Sequence, residues 1–212
     1  MIPQNQGSLE WLKFRKDRLG GSDAAAIMGV SPFKTIGQLF DEKLSRRPPD
    51  EPNEHMRRGN ELEEEARQCF ECMCDEEVFP RVRVSSEYHW QIASLDGISL
   101  DGSVIVEIKC PGQKDHDLAL QDIIPQKYIP QLQHTMAVTG ADSIFYFSYR
   151  DGKGKIVSHK RDQAYIDRLI AQEKAFYEIL MKAKEKIDKL DDELELMKDE
   201  VYKLVEELHD SA

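Results

Sequence analysis

The period of the apolar residues changes several times along the chain. Residues 9–16 bring Trp11, Leu12 and Phe14 towards a core, and Ser8 can accept from the first free amides, so a short capped helix is predicted there. Gly20-Gly21-Ser22-Asp23 predicts a turn, with Ser22 or Asp23 capping the small-residue run 24–28. Ser31-Pro32 breaks the chain, and a helix is predicted from Thr35 to about Leu44. Pro48, Pro49 and Pro52 mark a loop, followed by a helix from about Asn53 to Met73. The period then shortens to two. Residues 78–84 and 88–94 read as strands, and residues 98–100 lead into the hairpin signal Asp101-Gly102. Residues 104–108 are almost continuously apolar, which predicts a central strand covered on both faces. A helix over 128–138 ends at Gly140, and strands 144–149 and 155–159 join through Asp151-Gly152. The fold class expected is α/β, a central mixed sheet flanked by helices.

From Asp162 onward one long helix is predicted. Ile187, Leu190, Leu194, Met197, Val201, Leu204 and Leu208 recur in alternating steps of three and four, a heptad seam. The register extends backward through Leu180, Phe176, Leu169 and Ile166, interrupted at Glu173. Such a helix would reach ~70 Å at ~1.5 Å per residue. Two readings of the seam stay open: a helix lying back on its own domain, or a coiled coil with another chain.

Composition narrows the classes. No run approaches the ~18 apolar residues of a membrane span, and the N-terminus MIPQNQGSLEW lacks the basic flank and apolar stretch of a signal peptide. The expectation is a cytoplasmic protein, with no membrane partner and its four cysteines reduced. The net charge of −11 is concentrated in two stretches. Residues 48–79 carry −8 and residues 182–212 carry −5, leaving the rest at +2, so a local cationic groove for DNA is compatible with the total.

One constellation carries chemistry. Asp96 precedes Glu107 by eleven residues, and Lys109 follows at the next same-face position of a strand, so Glu107 and Lys109 project together beside Asp96. Two carboxylates with the Ile108 carbonyl suit a hard cation, Mg²⁺ or Mn²⁺, one or two ions per site. Such an ion lowers the pKa of bound water and neutralises charge on a phosphate, while an ammonium stabilises the transition state. Alternating Glu and Lys is also the ordinary pattern of surface cross-strand pairs. The apolar context and the abrupt stop at Cys110-Pro111-Gly112 favour the functional reading. A third acidic source is the segment from Arg57 to Arg67, where spacing alone does not choose among the glutamates.

RLGGSDAAAIMGVSPF, RRGNELEEEAR, SLDG, VEIKCPG and PQKYIPQLQHTMAVTG, five ordered motifs over about residues 7–160, resemble the YqaJ-type viral recombinase and phage lambda exonuclease family of the PD-(D/E)XK nuclease superfamily. The resemblance implies metal ligation by Glu63, Asp96, Glu107 and the Ile108 carbonyl, with Lys109 as catalytic lysine and Gln131 as active-site glutamine. It also implies that Arg15, four residues after Trp11, and Ser22 grip the 5′-phosphate of a DNA end. Leu95 stands where the superfamily commonly has proline before the Asp. The implied activity is Mg²⁺-dependent 5′→3′ digestion of linear duplex DNA in phage-type recombination, with a single-strand annealing protein as partner and a homo-oligomer, with trimers known in the family. The domain reading is then an exonuclease domain over 1–161 and a helical oligomerisation or partner segment over 162–212.

Lys34, Tyr128 and His134 are further candidates for DNA contact, each balanced by a plainer reading: solvation for Lys34, packing for Tyr128, a hydrogen-bonded core site for His134. Cys69, Cys72, Cys74 and Cys110 depart from metal-cluster spacing and are expected to be buried or inert thiols. A nicking or structure-specific endonuclease, and a DNA-end-binding protein acting through the coiled coil, are the rival functions.

Overall fold

The computed structural model describes residues 2–4, 6–45 and 54–210. Helix α1 (Leu9–Lys16) leads into the short strand β1 (Leu19–Gly20), then α2 (Gly21–Ile27), α3 (Ile36–Leu44) and α4 (Glu54–Cys74). Strands β2 (Phe79–Val84), β3 (Gln91–Ile98) and β4 (Ile105–Lys109) follow, then α5 (Gln113–Leu120), a 3₁₀ turn (Gln126–Tyr128) and α6 (Ile129–Thr139). Strands β5 (Ser143–Arg150) and β6 (Lys153–Lys160) precede the long α7 (Gln163–Asp210).

The six strands form one mixed sheet in the order β1-β3-β4-β5-β6, with β2 also on β3. β4 and β5 run parallel, as do β1 and β3; the other pairs are antiparallel. β2 covers one edge of β3 from Ile92 to Ile98. β1 and β4 must therefore share the other edge, β1 at Gln91 and Ile92, β4 at Gly97 and Ile98. Residues 93–96 face a gap between them. This fork in the sheet is where the candidate site lies.

Helices cover both faces. On one side Leu132 and Met136 of α6, Ala119 of α5 and Ile166 of α7 pack on Ala93, Leu95, Ile105, Ile144 and Tyr146. On the other, Ala66 and Phe70 of α4 pack on Val106, Ile108, Phe147 and Tyr149. β4 is thus central and covered twice, as its apolar run predicts. A third cluster joins Leu19, Ala26, Ile27 and Leu39 to Phe176 and Leu180 of α7. No helix among the described residues is long and apolar enough to cross a membrane.

The Ser8 cap forms as expected, and Thr35 caps α3 rather than opening it, their hydroxyls accepting from the amides of Trp11 and Gln38 at 3.2 Å each. Gly140 ends α6 at φ 76°, and Asp151 (φ 48°) and Gly152 (φ 76°) close the β5–β6 hairpin. Several expectations need correction. Gly20-Gly21-Ser22-Asp23 is not a turn: Leu19–Gly20 pairs with β3 and α2 starts at Gly21, the Asp23 carboxylate accepting from the Gly20 amide at 3.0 Å. β3 starts at Gln91, not residue 88, and runs unbroken through Asp96 to Ile98. The β3–β4 connection spans Ser99 to Val104 with only Gly102 left-handed, because the Asp101 carboxylate folds the loop by accepting from Ser99 and Ser103. α5 has no counterpart in the predicted elements. The Pro48–Pro52 loop and Asn53 lie outside the described residues. The cysteines are free and none is buried, Cys72 being exposed.

Candidate active site

Glu107 and Lys109 leave β4 on the face towards α6, as the two-residue period requires. Lys109 Nζ and Gln131 Nε2 both meet Glu107 Oε1. Gln131 arrives from the first turns of α6, with Pro130 at the helix start. Asp96 reaches across the fork from β3: its Oδ2 accepts from the Ile108 amide at 2.8 Å, replacing the backbone partner that the diverging strand has lost. In a strand a residue's N–H and C=O point to the same edge, so the Ile108 carbonyl also faces the fork.

The electrostatics are those of crowded carboxylates. Glu107 is 2 % exposed. Burial first, and then the adjacent Asp96 charge, push its carboxyl up to about 8. Burial also raises Asp96 and Glu63, each above the ordinary carboxylate range. The ammonium of Lys109 loses hydration by burial, but Glu107 and Asp96 more than restore it and hold it above its ordinary value. The Asp96 and Glu107 carboxylates would repel each other as two anions, which favours a proton or a cation between them. Hard oxygen donors in need of a positive charge fit a divalent cation.

Glu63 is set further out. Its Oε1 lies 3.1 Å from Arg67 Nη2, and Arg67 Nε donates to the Asp96 carbonyl at 3.1 Å. With Glu63 turned to Arg67 and Glu107 held by Lys109 and Gln131, no three such side chains form a ready cage among the described residues.

A cleft of about 150 Å³ runs along the fork, with Ser94, Asp96, Glu107, Lys109 and Gln131 at one end and Gly20, Gly21, Ser22 and Arg15 at the other. Arg15 donates to Ser22 Oγ and contacts Asp23 at 3.2 Å. Its guanidinium lies 5.2 Å from the ring of Trp11. Asp23 is 1 % exposed and pairs with Lys43 at 2.9 Å. Burial opposes the Asp23 charge, yet Lys43, Arg15 and the Gly20 amide hold its carboxyl below the usual range. Gly21 leaves room that α6 uses: a Cβ there would stand 3.0 Å from Gln131 Cγ.

The structure therefore brings Arg15, Ser22, Asp96, Glu107, Lys109 and Gln131 to one cleft, with Glu63 beside it. Lys34 pairs with Glu42 on the surface. Tyr128 is half-buried, stacked on Tyr146, with Lys109 Nζ 5.8 Å from its ring. His134 is no surface contact: it is fully buried, its Nδ1 2.6 Å from Glu173 Oε1 and its Nε2 2.8 Å from the Ile92 carbonyl. Sequence reading missed Asp23, Lys43, Arg67 and Glu173. Asp23 and Arg67 sit inside quoted motifs, and Glu173 showed itself only as the break in the α7 seam.

Residues 10–142 match the YqaJ-like viral recombinase domain. The chain belongs to that family. Its fold is the PD-(D/E)XK core, matched by the alkaline exonuclease LHK-Exo of Laribacter hongkongensis with TM-score 0.76 and 26% identity, over 88% of this chain and 100% of that one. The LHK-Exo complex with dAMP matches with TM-score 0.77 and 25% identity over the same shares. A phage related exonuclease from Haemophilus somnus 129PT, at TM-score 0.62 and 16% identity, shares the fold over 78% of this chain and 96% of that one. The uncharacterized protein YqaJ of Bacillus subtilis (strain 168) is 29% identical over 174 residues, 79% of this chain and 54% of that protein. The chain thus spans about half the length of that curated relative.

Proposed function

We propose that this YqaJ-like protein is a divalent-metal-dependent exonuclease that digests linear duplex DNA from its 5′ ends in phage-type recombination. The observation that carries the reading is the fork cleft, which holds a carboxylate–lysine–glutamine group and an arginine–serine pair in one continuous space. Its size suits a phosphate and a few waters rather than a duplex interior.

Asp96, Glu107 and the Ile108 carbonyl, with Glu63 from α4, would hold Mg²⁺ or Mn²⁺, which when bound supplies Lewis-acid activation of water and neutralises phosphate charge. Lys109 places a fixed positive charge where negative charge develops on the phosphate. Gln131 holds Glu107 in one rotamer and orients the attacking water. Arg15 and Ser22 bind the 5′-terminal phosphate, and Asp23 with Lys43 fixes the guanidinium from beneath. The 3′-ended strand left behind is the substrate of a single-strand annealing partner.

The test is strand-specific digestion. Linear duplex DNA labelled at either end, incubated with Mg²⁺, should lose the 5′ label first. Lys109→Ala should lower the rate by at least about 10²-fold while the protein still folds, as its circular dichroism would show. Arg15→Ala should lower the rate on 5′-phosphorylated ends more than on 5′-hydroxyl ends. Intact linear DNA refutes the enzyme, and cleavage of covalently closed circles replaces the exonuclease by an endonuclease.

A further inference from the structure

The two ends of the cleft stand on different helices, Gln131 on α6 and Ser22 on α2. Between them lies a buried polar group to which the proposed hydrolysis assigns no step. His134 follows Gln131 by one turn of α6 and is fully buried. Its Nε2 lies 2.8 Å from the carbonyl of Ile92, and its Nδ1 lies 2.6 Å from Glu173 Oε1 of α7. Glu173 Oε2 accepts from Gln91 Nε2 at 2.6 Å. Gln91 and Ile92 are the β3 residues paired with Leu19 and Gly20 of β1, and α2 starts at the next residue, Gly21. Gly21 in turn lies against α6: a Cβ there would stand 3.0 Å from Gln131 Cγ and 3.6 Å from His134 Cδ2. Ile92 also lines the cleft. Three elements thus meet at His134: the helix that carries Gln131, the strand wall of the cleft, and the start of the helix that carries Ser22.

A buried polar triad is often no more stabilising than apolar side chains of similar volume, because each group gives up its hydration. What hydrogen bonds add is geometry, one partner at one distance and angle. Here that geometry is the offset of α6 from β1 and α2. The bond to be cut in a digestion from the 5′ end is the phosphodiester next to the gripped terminal phosphate. Gln131 must therefore hold Glu107 and the attacking water one nucleotide's span from Arg15 and Ser22.

We propose that His134 and Glu173 are positioning residues: they fix the span between Gln131 and the Arg15–Ser22 grip, so that holding a 5′-phosphate speeds hydrolysis of the phosphodiester beside it. The inference rests on the exonuclease reading of the cleft.

Steady-state digestion of linear duplex DNA with either 5′-phosphate or 5′-hydroxyl ends tests it. In Gln91→Leu/His134→Phe/Glu173→Leu the three polar side chains give way together to apolar ones, so no charge is left buried and unpaired. On phosphorylated ends its kcat should fall by ~10-fold or more with KM within ~2-fold of wild type, because the grip still binds but no longer places the bond. On hydroxyl ends, which the grip does not hold, the rate should fall by less than ~3-fold. Arg15→Ala should instead raise KM on phosphorylated ends. Glu173→Gln, a milder change, should shift the ratio of the two rates in the same direction as the triple variant, and it decides by that ratio if the triple variant does not fold. An equal fall on both ends, an unchanged kcat, or a rise in KM alone makes the triad a purely structural one and overturns the inference. Wild-type protein that leaves linear DNA intact refutes the exonuclease reading and this inference with it. Digestion by the wild type without preference for phosphorylated ends refutes the positioning role alone.

Discussion

Asp96 shows how much one side chain does here. Its Oδ2 stands in for the strand partner that Ile108 lacks, so the same carboxylate closes the fork and lines the cleft. Glu173 does comparable work from behind. It receives a 2.6 Å hydrogen bond from Gln91 and pairs with His134, all with almost no exposure, one turn of α6 from Gln131. Removing one partner of a buried pair typically costs about 3–5 kcal/mol, so Glu173→Gln should unfold at markedly lower temperature at pH 6. Burial alone lowers His134, but the Glu173 carboxylate, the Ile92 carbonyl and the nearby Asp23 charge raise it net above its ordinary value. A base so raised stabilises fully below its unfolded value of ~6.5 and loses that contribution as pH rises through the folded value. Wild-type Tm should therefore decline above neutrality more than that of Glu173→Gln. Parallel Tm-versus-pH curves would remove this role from the pair.

At the scale of elements, the β3–β4 pair is short because it must part. Only Gly97 and Ile98 pair with Val106 and Ile105 before the strands separate. Gly97 permits the close approach, since a Cβ would lie 2.6 Å from Val78 Cγ2 and 2.7 Å from Val106 Cγ1. Gly97→Ala should cost about 1–3 kcal/mol by overpacking. Because the displaced residue adjoins Asp96, digestion should fall along with Tm; activity retained at wild-type level would mean the fork tolerates the shift. The strands themselves were legible from their period of two, as was β4's double burial. The fork was not: it depends on β2 occupying one edge of β3 and leaving β1 and β4 to divide the other, a pairing choice that local periodicity does not encode.

The whole molecule divides along α7. Among the described residues of α7, the buried ones, Ile166, Leu169, Glu173, Phe176 and Leu180, all precede Lys182. A chain ended after Lys182 keeps that core and loses the partly exposed Lys184–Asp17 pair, worth about 1 kcal/mol. Its Tm should stay within about 4 °C of the full chain, with digestion of DNA ends preserved. Unfolding on truncation would make the distal helix part of the body's own stability. The acidic surplus lies in the tail and in the α4 region, while Arg15 and Lys109 line the cleft.

The sequence by itself determined the α/β class, the central apolar strand, the heptad seam, and the ordered motifs that name the family. Each of these is local, a matter of period, cap or spacing. Tertiary structure decided what the motif residues touch. Whether His134 is a surface or core residue and why the seam breaks at Glu173 depend on contacts between residues 39 to 82 positions apart, joining α6, β3 and α7. Buried polar groups must find partners, and only the folded chain shows which ones they found.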